Sequence, residues 1–365
     1  MQSSTRKSIA CPTLSNDDNP TGLAGLIRAP WAITIESFEN LISIYAAHLR
    51  SPKVDIEAFE KRTGFSLATP RADYQVDRGV AVISFDGLIA PKANLLTRVC
   101  GATSAQWVAG QVNAAIADPL VKSIILVIDS PGGSVSGSPE LAQIVFDAAR
   151  KKPVVAYSDG MLLSAAYWIG SAANAVYISG PTVHVGSIGI VATHSHDPAS
   201  SLGQTEIVAG RYKRIATSLA PLSAAGAAYM QDQVNYLYEV FVNAVALYRG
   251  VTPEHAAAHM AEGRMFIGKQ AIDAGLVDEI SPLGALVSAM ASNPGAFAKR
   301  RRITGHRAIG ARAQGTAPKQ LTSQGSQFIA PRVLTANEQA DAAVAYSKQH
   351  GIGIVQALKT LGFAT

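Results

Sequence analysis

Short runs of β-branched apolar residues recur along this chain, and each is followed by a turn and a helical pattern. The clearest run is Ile-Ile-Leu-Val-Ile at 124–128, and continuous runs of this kind are typical of parallel strands buried on both faces. The same pattern predicts strands over 80–85, 153–157, 175–178 and 205–208, and helices over 104–117, 138–150 and 223–249. The alternation predicts an α/β fold of repeated strand-turn-helix units with parallel strands.

Composition narrows the class of protein. The chain has 365 residues, of which 48% are hydrophobic and 16% charged, so a large core is expected. Cys11 and Cys100 lie far apart without CxxC spacing, which predicts neither a disulfide framework nor a zinc site and fits a reducing cytoplasm. Because no apolar run reaches the roughly 18 residues of a membrane span, we expect no membrane anchor. No apolar core follows the basic N-terminus, so no signal peptide is predicted.

The net charge of +5 belongs to one stretch of the chain. Eight basic residues and no acidic ones lie between Lys299 and Arg332, and without them the remainder is net negative. This distribution argues against a nucleic-acid-binding domain, for which a basic face on the folded body is expected.

Composition also divides the chain into regions. Polar residues predict a disordered N-terminus over 1–22, and apolar spacing predicts an N-terminal helical segment over 23–77. The main α/β domain follows over 78–290. The stretch 291–333 is rich in Gly, Ala, Ser, Gln and Arg and is predicted to be a basic flexible linker. A capping-box pattern at 335–338 opens a short C-terminal helical module over 334–365.

Two strand ends carry candidate catalytic groups. Strand 124–128 runs into Asp-Ser-Pro-Gly-Gly, and the amides of Gly132 and Gly133 would suit a substrate carbonyl oxygen, although an ordinary strand-to-helix turn explains them as well. Ser164 stands after the next strand, where a serine is either a helix cap or a nucleophile. The small side chains of Ala165 and Ala166 leave room for a substrate, and the Ala165 amide would point to an oxyanion.

Two residue types compete for the role of base. Lys213 lies in Gly-Arg-Tyr-Lys-Arg, 49 residues after Ser164, and acts as a base only if burial lowers its pKa; otherwise it belongs to a solvated basic loop. His184, 20 residues after Ser164, is the rival base or else a packed residue. Other groups near it in sequence are His194, His196 and Asp197.

Five motifs in order resemble peptidase family S49, the signal-peptide-peptidase-A group within the Clp-protease/crotonase fold. They cover roughly residues 78–285 and comprise Asp129-Ser130-Pro131-Gly132-Gly133, Ser164-Ala165-Ala166, Gly186-Ser187-Ile188-Gly189, Gly210-Arg211-Tyr212-Lys213 and Ala274-Gly275-Leu276-Val277-Asp278. The resemblance implies that 78–290 is an S49-like peptidase domain of Clp-protease/crotonase-like fold, in which a Ser–Lys dyad does the chemistry.

Carried onto this sequence, the resemblance makes Ser164 the nucleophile and Lys213 the general base. Ser187 would hydrogen-bond the lysine, and the amides of Gly132, Gly133 and Ala165 would form the oxyanion hole. No metal or cofactor is implied. Two departures affect the local geometry: Arg214 follows the lysine where the family has a small or acidic residue, and His194, His196 and Pro198 interrupt a stretch that the family runs as a smoother helix.

The missing anchor, the N-terminal helical segment and the basic tail resemble the phage prohead proteases of the same family. We therefore expect a homo-oligomeric endopeptidase that processes capsid or scaffold proteins in the bacterial host cytoplasm, inside the assembling prohead. Helix 223–249 would supply apolar surface for the ring. Three alternatives remain: a Clp-like Ser-His peptidase using His184, a signal-peptide-peptidase-type degradative enzyme, and a catalytically idle capsid-assembly protein.

Overall fold

A computed structural model describes residues 30–50, 74–93, 102–194, 196 and 207–299 of the chain. Within these ranges the strands are β1 (Trp31–Ile33), β2 (Gln75–Asp77), β3 (Val80–Asp86), β4 (Ile89–Ala90), β5 (Thr103–Ser104), β6 (Ser123–Asp129), β7 (Gly132–Ser134), β8 (Val154–Ser158), β9 (Met161–Leu163), β10 (Ala175–Ile178), β11 (His184–Gly186), β12 (Met265–Ile267) and β13 (Glu279–Ile280). The helices are α1 (Ile35–Arg50), α2 (Ala105–Ala117), α3 (Ser138–Ala148), α4 (Ala165–Ser171), α5 (Ala224–Arg249), α6 (Pro253–His259), α7 (Lys269–Asp273) and α8 (Leu283–Ser292), followed by a 3-10 helix, Pro294–Phe297.

The central sheet has six strands in the order β13-β10-β8-β6-β3-β2. Its pairs are parallel except β2 with β3, which is antiparallel. Strands β6 and β8 lie in the middle, and the apolar residues of both are buried almost throughout. The α/β fold class predicted from the apolar runs is therefore confirmed, and the run at 124–128 is the centre of the sheet.

Two small sheets stand at the ends of the central strands. One has the order β12-β11-β9, with β9 and β11 parallel. The other has the order β1-β7-β4-β5, with β1 antiparallel to β7. Because β6 leads into β7 and β8 leads into β9, both small sheets receive their strands from neighbouring strands of the central sheet. The predicted catalytic turns therefore meet at this edge.

The starts of α2 and α3 differ in how they are capped. The Ser104 hydroxyl accepts from the Trp107 amide and caps α2, which begins one residue after the start predicted for this helix. Helix α3 begins at Ser138, as predicted, but the interpretation of Ser138 as its N-cap, with Pro139 at the first helical position, is wrong by one residue: Gly137 precedes the helix in the left-handed conformation, and the Ser138 hydroxyl donates to Ser134 O at 2.7 Å. The strand expected over 205–208 is not present at 207 and 208, and 205 and 206 lie outside the described residues.

A buried ion pair ties α5 to the sheet. Arg249 forms two hydrogen bonds with the Asp278 carboxylate, at 2.8 and 3.0 Å, and its Nε donates to Gly275 O. Asp278 also accepts from the Val176 amide of β10. Burial on its own lowers the pKa of Arg249, but Tyr167 and Asp278 outweigh it and the pKa ends above its usual value. The C-terminal end of α5 is thereby fixed to β10.

The predicted N-terminal helical segment, 23–77, contains α1 but also β1 and, at its end, β2. Trp31 and Ile33 of β1 pack with Phe38 and Leu41 of α1 in a small buried cluster. The predicted disordered N-terminus over 1–22, nearly all of the linker over 291–333 and the C-terminal module over 334–365 lie outside the described residues. The described part of 291–333 ends α8 and forms the 3-10 helix.

Candidate active site

Ser164 stands between β9 and α4 with a strained backbone. Its φ of 52° and ψ of −117° lie in a region that residues other than glycine rarely occupy. Such a conformation costs about 1–3 kcal/mol and persists only where the surroundings hold it. Two hydrogen bonds do so: the Ser164 amide donates to Gly186 O at 2.7 Å, and its carbonyl accepts from Trp168 N at 2.9 Å. The serine is thus held between β11 and the first turn of α4.

The Ser164 hydroxyl is fully buried and has no hydrogen-bond partner among the described residues. Leaving such a group unsatisfied costs about 1–3 kcal/mol. The hydroxyl does not cap α4 either, because no side-chain hydrogen bond is made at that helix start. The cap interpretation of Ser164 is therefore wrong, and a buried unpaired hydroxyl requires another explanation.

The turn after β6 is brought against Ser164 by strand-like pairing. The Ser130 amide donates to Met161 O at 2.7 Å, and the Leu163 amide donates to Ser130 O at 3.1 Å. The Asp129 carboxylate accepts from the Met161 amide at 2.8 Å. As a result, a Cβ added to Gly132 would lie 2.9 Å from Ser164 Cβ. The two predicted catalytic turns are therefore in direct contact.

The three candidate oxyanion donors differ in their surroundings. Ala165 is the first residue of α4, so its amide has no intrahelical partner and adjoins the serine. The Gly132 amide donates to the Ser130 hydroxyl at 3.1 Å. Gly133 lies within β7, between β1 and β4. Only Ala165 therefore has the free helix-end amide that the role needs, and Gly132 would have to exchange its bond to Ser130 for one to a substrate.

Ser187 lies next to the backbone of Ser164. It directly follows Gly186, whose carbonyl accepts the Ser164 amide, and its own amide donates to Arg264 O at 2.7 Å. Ser187 is buried and, like Ser164, has a φ of 52°. The structure therefore brings Ser187, Gly132 and Ala165 together around Ser164.

Lys213 is placed differently. It lies in an exposed turn spanning 210–216, where its amide donates to Gly210 O at 3.1 Å. Among the described residues, no hydrogen bond or ion pair joins its ammonium group to Ser164 or Ser187. The predicted nucleophile and base are thus not in contact.

The histidines are no better placed. His184 begins β11 opposite Met161 of β9, three residues before Ser164, a separation of roughly 10 Å along a strand. His194 Nε2 is paired with Thr217 O at 2.8 Å. His196 Nδ1 is buried without a partner in the part of the chain that the structure describes, and Asp197 lies outside that part. The geometry gives no Ser–His pair at Ser164.

Two further observations concern the described residues alone. They contain no group of three His, Cys, Asp or Glu side chains arranged to hold a metal ion. None of their helices combines the length and the apolar character needed to cross a membrane.

Comparison with known proteins agrees with the motifs. The family model of peptidase family S49 matches residues 147–296, which include Ser164, Ser187 and Lys213. The resemblance to family S49 is confirmed. The match begins at residue 147, inside the domain predicted over 78–290, so the Gly132-Gly133 turn is not part of it.

Relatives extend the likeness beyond that match. The chain is 28% identical to capsid assembly protease C of Escherichia phage lambda over 74% of this chain and 61% of that protein. It is 28% identical to head-tail preconnector protein GP5 of Enterobacteria phage P21, over 61% of this chain and 45% of that protein. Protease 4 of Salmonella typhi is 34% identical over 59% of this chain and 34% of its own length. The chain therefore spans between a third and three fifths of these relatives.

Among solved structures, a mutant of ClpP1 from Listeria monocytogenes is similar at 14% identity, with a TM-score of 0.37, over 57% of this chain and 95% of that one. At that score the likeness supports no argument about the site.

Sequence reasoning missed two contributors. The first is strand β1, which lies against Gly132, and the second is the Ser130 hydroxyl, which holds the Gly132 amide. The run Trp31-Ala32-Ile33-Thr34 before a helical pattern was the available signal for β1, because Thr34 caps α1 and separates the two elements. Nothing in the sequence indicated that its pairing partner lies about 100 residues away.

Proposed function

We propose that this protein is a serine endopeptidase in which Ser164 is the nucleophile and Lys213 the general base. The observation that carries the proposal is the fully buried, unpaired hydroxyl of Ser164 on a strained backbone, beside Gly132 and the orphan amide of Ala165. Strain and an unsatisfied group at one residue have a combined cost that packing alone does not explain. The S49 match over the surrounding segment supports the same chemistry.

The reaction would proceed through an acyl-enzyme. Neutral Lys213 takes the hydroxyl proton as Ser164 Oγ bonds to the substrate carbonyl carbon. The amides of Ala165 and Gly132, with Gly133, stabilise the oxyanion, a contribution of roughly 3–4 kcal/mol per donor in other serine proteases. Lys213 then protonates the leaving amine. Water then attacks the ester carbonyl carbon while Lys213 accepts a proton from it. The bond between that carbon and Ser164 Oγ breaks, and Lys213 returns the proton to Oγ, which restores the serine hydroxyl and the neutral lysine.

The exposed position of Lys213 sets a requirement on this mechanism. A lysine is mostly protonated in water and becomes a base only when its surroundings are dry. The 210–216 turn must therefore close over Ser164 in the productive complex, so that the ammonium group leaves solvent and meets the Ser187 hydroxyl. The mechanism thus depends on a movement of this turn and not of the serine.

The substrates would be proteins of phage head assembly, either capsid or scaffold proteins, processed in the bacterial cytoplasm inside the assembling prohead. Support comes from two relatives, one named a capsid assembly protease and one a head-tail preconnector protein. Signal-peptide-peptidase-type degradation is the competing substrate class, supported by the likeness to protease 4. Co-expression with the neighbouring capsid and scaffold genes, followed by mass spectrometry, separates the two: discrete products indicate maturation, and general degradation indicates the other.

We also propose a homo-oligomer, but with an interface that uses only part of helix α5. Part of the apolar surface expected from helix 223–249 is not available to a partner: Phe241 and Val245 are buried within the subunit, and Phe241 stacks on Trp168 at 4.2 Å. The N-terminal half of α5 is mostly exposed, including Tyr229 and Tyr236. This half is therefore the surface we assign to subunit contact, and light scattering that finds a monomer at micromolar concentration contradicts it.

Substitutions test the dyad directly. Casein cleavage should fall by roughly 10⁴-fold or more in Ser164→Ala and to a similar level in Lys213→Ala, because neither residue acts without the other. Lys269→Ala removes an exposed lysine from the surface pair with Asp273 and should leave the rate unchanged. His184→Ala should also retain activity. Loss in His184→Ala with activity kept in Lys213→Ala would replace the dyad by the Ser–His alternative. Unmodified protein that cleaves neither casein nor capsid proteins would favour the idle assembly protein.

A further inference from the structure

Strand β1 is held by hydrogen bonds on both edges. On one side its register with β7 pairs Trp31 with Ser134, Ala32 with Gly133 and Ile33 with Gly132. On the other side the Trp31 amide and carbonyl exchange two hydrogen bonds of 2.9 Å with Val191. A five-residue stretch, 30–34, thus lies between β7 and residue 191, antiparallel to both.

This stretch passes beside the nucleophile. A Cβ built on Gly132 would overlap the Ala32 carbonyl oxygen, and would stand 2.9 Å from Ser164 Cβ and 3.1 Å from Ile33 Cα. Ala32, Ile33 and Ser164 therefore all lie against the Cα of Gly132.

The pairing also occupies a candidate oxyanion donor. Thr34 N donates to Pro131 O and Val135 N donates to Pro30 O. Since hydrogen-bonded pairs alternate along an antiparallel ladder, Ala32 and Gly133 form the next such pair, so the Gly133 amide faces the Ala32 carbonyl.

Side chains of β1 alternate between two environments. Trp31 and Ile33 pack in the small cluster with Phe38, Leu41 and Ala102, whereas Ala32 is buried in the main core. Neighbouring positions of a strand face opposite sides, so the order is large apolar, small, large apolar. The small central residue is required because Ala32 lies fully buried against the glycine turn.

We infer that the groove between β7 and Val191 is the peptide-binding site of the proposed peptidase, and that residues 30–34 fill it as an internal pseudo-substrate. Extended peptides with a large apolar, a small and a large apolar residue in succession would replace β1, because they restore the same main-chain hydrogen bonds. If β1 leaves without a replacement, buried backbone groups of β7 lose their partners. The inference rests on the proposed function for its catalytic consequence but not for the binding itself.

A reversible crosslink tests the exchange. Directly opposed antiparallel residues have Cα atoms about 4.5–5.5 Å apart, within disulfide range. The full chain is prepared as Trp31→Cys with Val191→Cys, on a Ser164→Ala background with Cys11→Ser and Cys100→Ser. The probe is a fluorescent peptide with the sequence of residues 29–36, followed by anisotropy. We expect binding in the reduced form and at least a tenfold weaker affinity in the oxidised form. Equal binding in both forms, or binding in neither, overturns the inference.

A peptide control separates recognition from general stickiness. The same peptide with leucine in place of Ala32 should bind at least tenfold more weakly, since the larger side chain meets the glycine turn. Hydrogen exchange on the unmodified chain provides a measurement free of engineered cysteines: the wild-type peptide should speed exchange of the Trp31 amide, and the leucine peptide should not. An unchanged Trp31 exchange rate at saturating wild-type peptide also overturns the inference.

Binding and catalysis fail separately in this design. If the peptide binds only the reduced form and the unmodified chain cleaves no substrate, the proposed function is contradicted, while the peptide-binding groove is supported. The same cysteine pair is also prepared with Ser164 retained. If its oxidised and reduced forms cleave casein equally fast, the inference about the groove is contradicted, while the proposed peptidase activity is supported.

Discussion

The surroundings of Ser164 and those of Lys213 are opposites. Ser164 is fully buried, has its backbone fixed by β11 and α4, and touches the glycine turn. Lys213 lies in an exposed turn, within which a few backbone hydrogen bonds join residues 210–217. One half of the proposed dyad is therefore set by the core of the fold, and the other half depends on a surface segment. The proposed mechanism therefore requires the lysine turn to move, whereas the serine is already held in place.

The largest expected effect lies in the buried ion pair that fixes α5 to β10. Asp278→Ala leaves the buried guanidinium of Arg249 without its carboxylate and the Val176 amide without its acceptor. Breaking a buried pair in this way should lower the free energy of unfolding by about 3–5 kcal/mol. Asp273→Ala is the matched control, because it removes one partner of an exposed pair, and should cost less than about 1 kcal/mol. Urea unfolding measures both, and equal costs would contradict the division into a fixed and an exposed region.

Replacing one glycine near Ser164 and one near Lys213 tests the same comparison. Gly132 and Gly210 both have positive φ, 108° and 102°, so alanine is strained at either position. At Gly132 the added methyl also overlaps Ala32 O, whereas at Gly210 its nearest neighbour is Lys213 Cγ at 3.6 Å. Gly132→Ala should therefore be the more destabilising by about 1–3 kcal/mol. Thermal unfolding of both variants checks this, and a larger loss in Gly210→Ala would refute the assignment of the clash.

The smallest effect concerns backbone strain at the nucleophile. Ser164→Gly and Ser164→Ala both remove the hydroxyl, but glycine accepts a φ of 52° and alanine does not. Ser164→Gly should therefore be more stable than Ser164→Ala by about 1 kcal/mol. At Lys213 the order should reverse, since its φ is not positive and glycine adds freedom to the unfolded chain. Urea unfolding of the four variants measures both differences. If alanine is the more stable residue at both positions, the backbone of Ser164 is not strained.

The sequence predicted those parts of the molecule in which local pattern and burial agree. The run at 124–128 became β6 with one residue added at each end, and the helix predicted over 104–117 is α2, Ala105–Ala117. The contact between the Gly132 turn and Ser164 also followed, because neighbouring parallel strands end at the same edge of a sheet.

Other parts could not be predicted, for physical reasons. Strand β1 has three residues, too few for a period to be read, and its stability comes from pairing with β7 and Val191. The position of Lys213 relative to Ser164 depends on an exposed turn whose own sequence specifies no buried face. The use of the Gly132 amide by Ser130 depends on a side-chain rotation that spacing does not encode.

All seven residues of α4 are buried, from Ala165 to Ser171. A helix of this kind cannot fray at its start, because each of its turns is surrounded by other parts of the core. Heating should therefore leave the backbone around Ser164 in place until the whole domain melts, so that loss of hydrogen-exchange protection at the Trp168 amide, which bonds to Ser164 O, and loss of ellipticity follow a single curve. The position of the proposed nucleophile thus lasts as long as the fold itself.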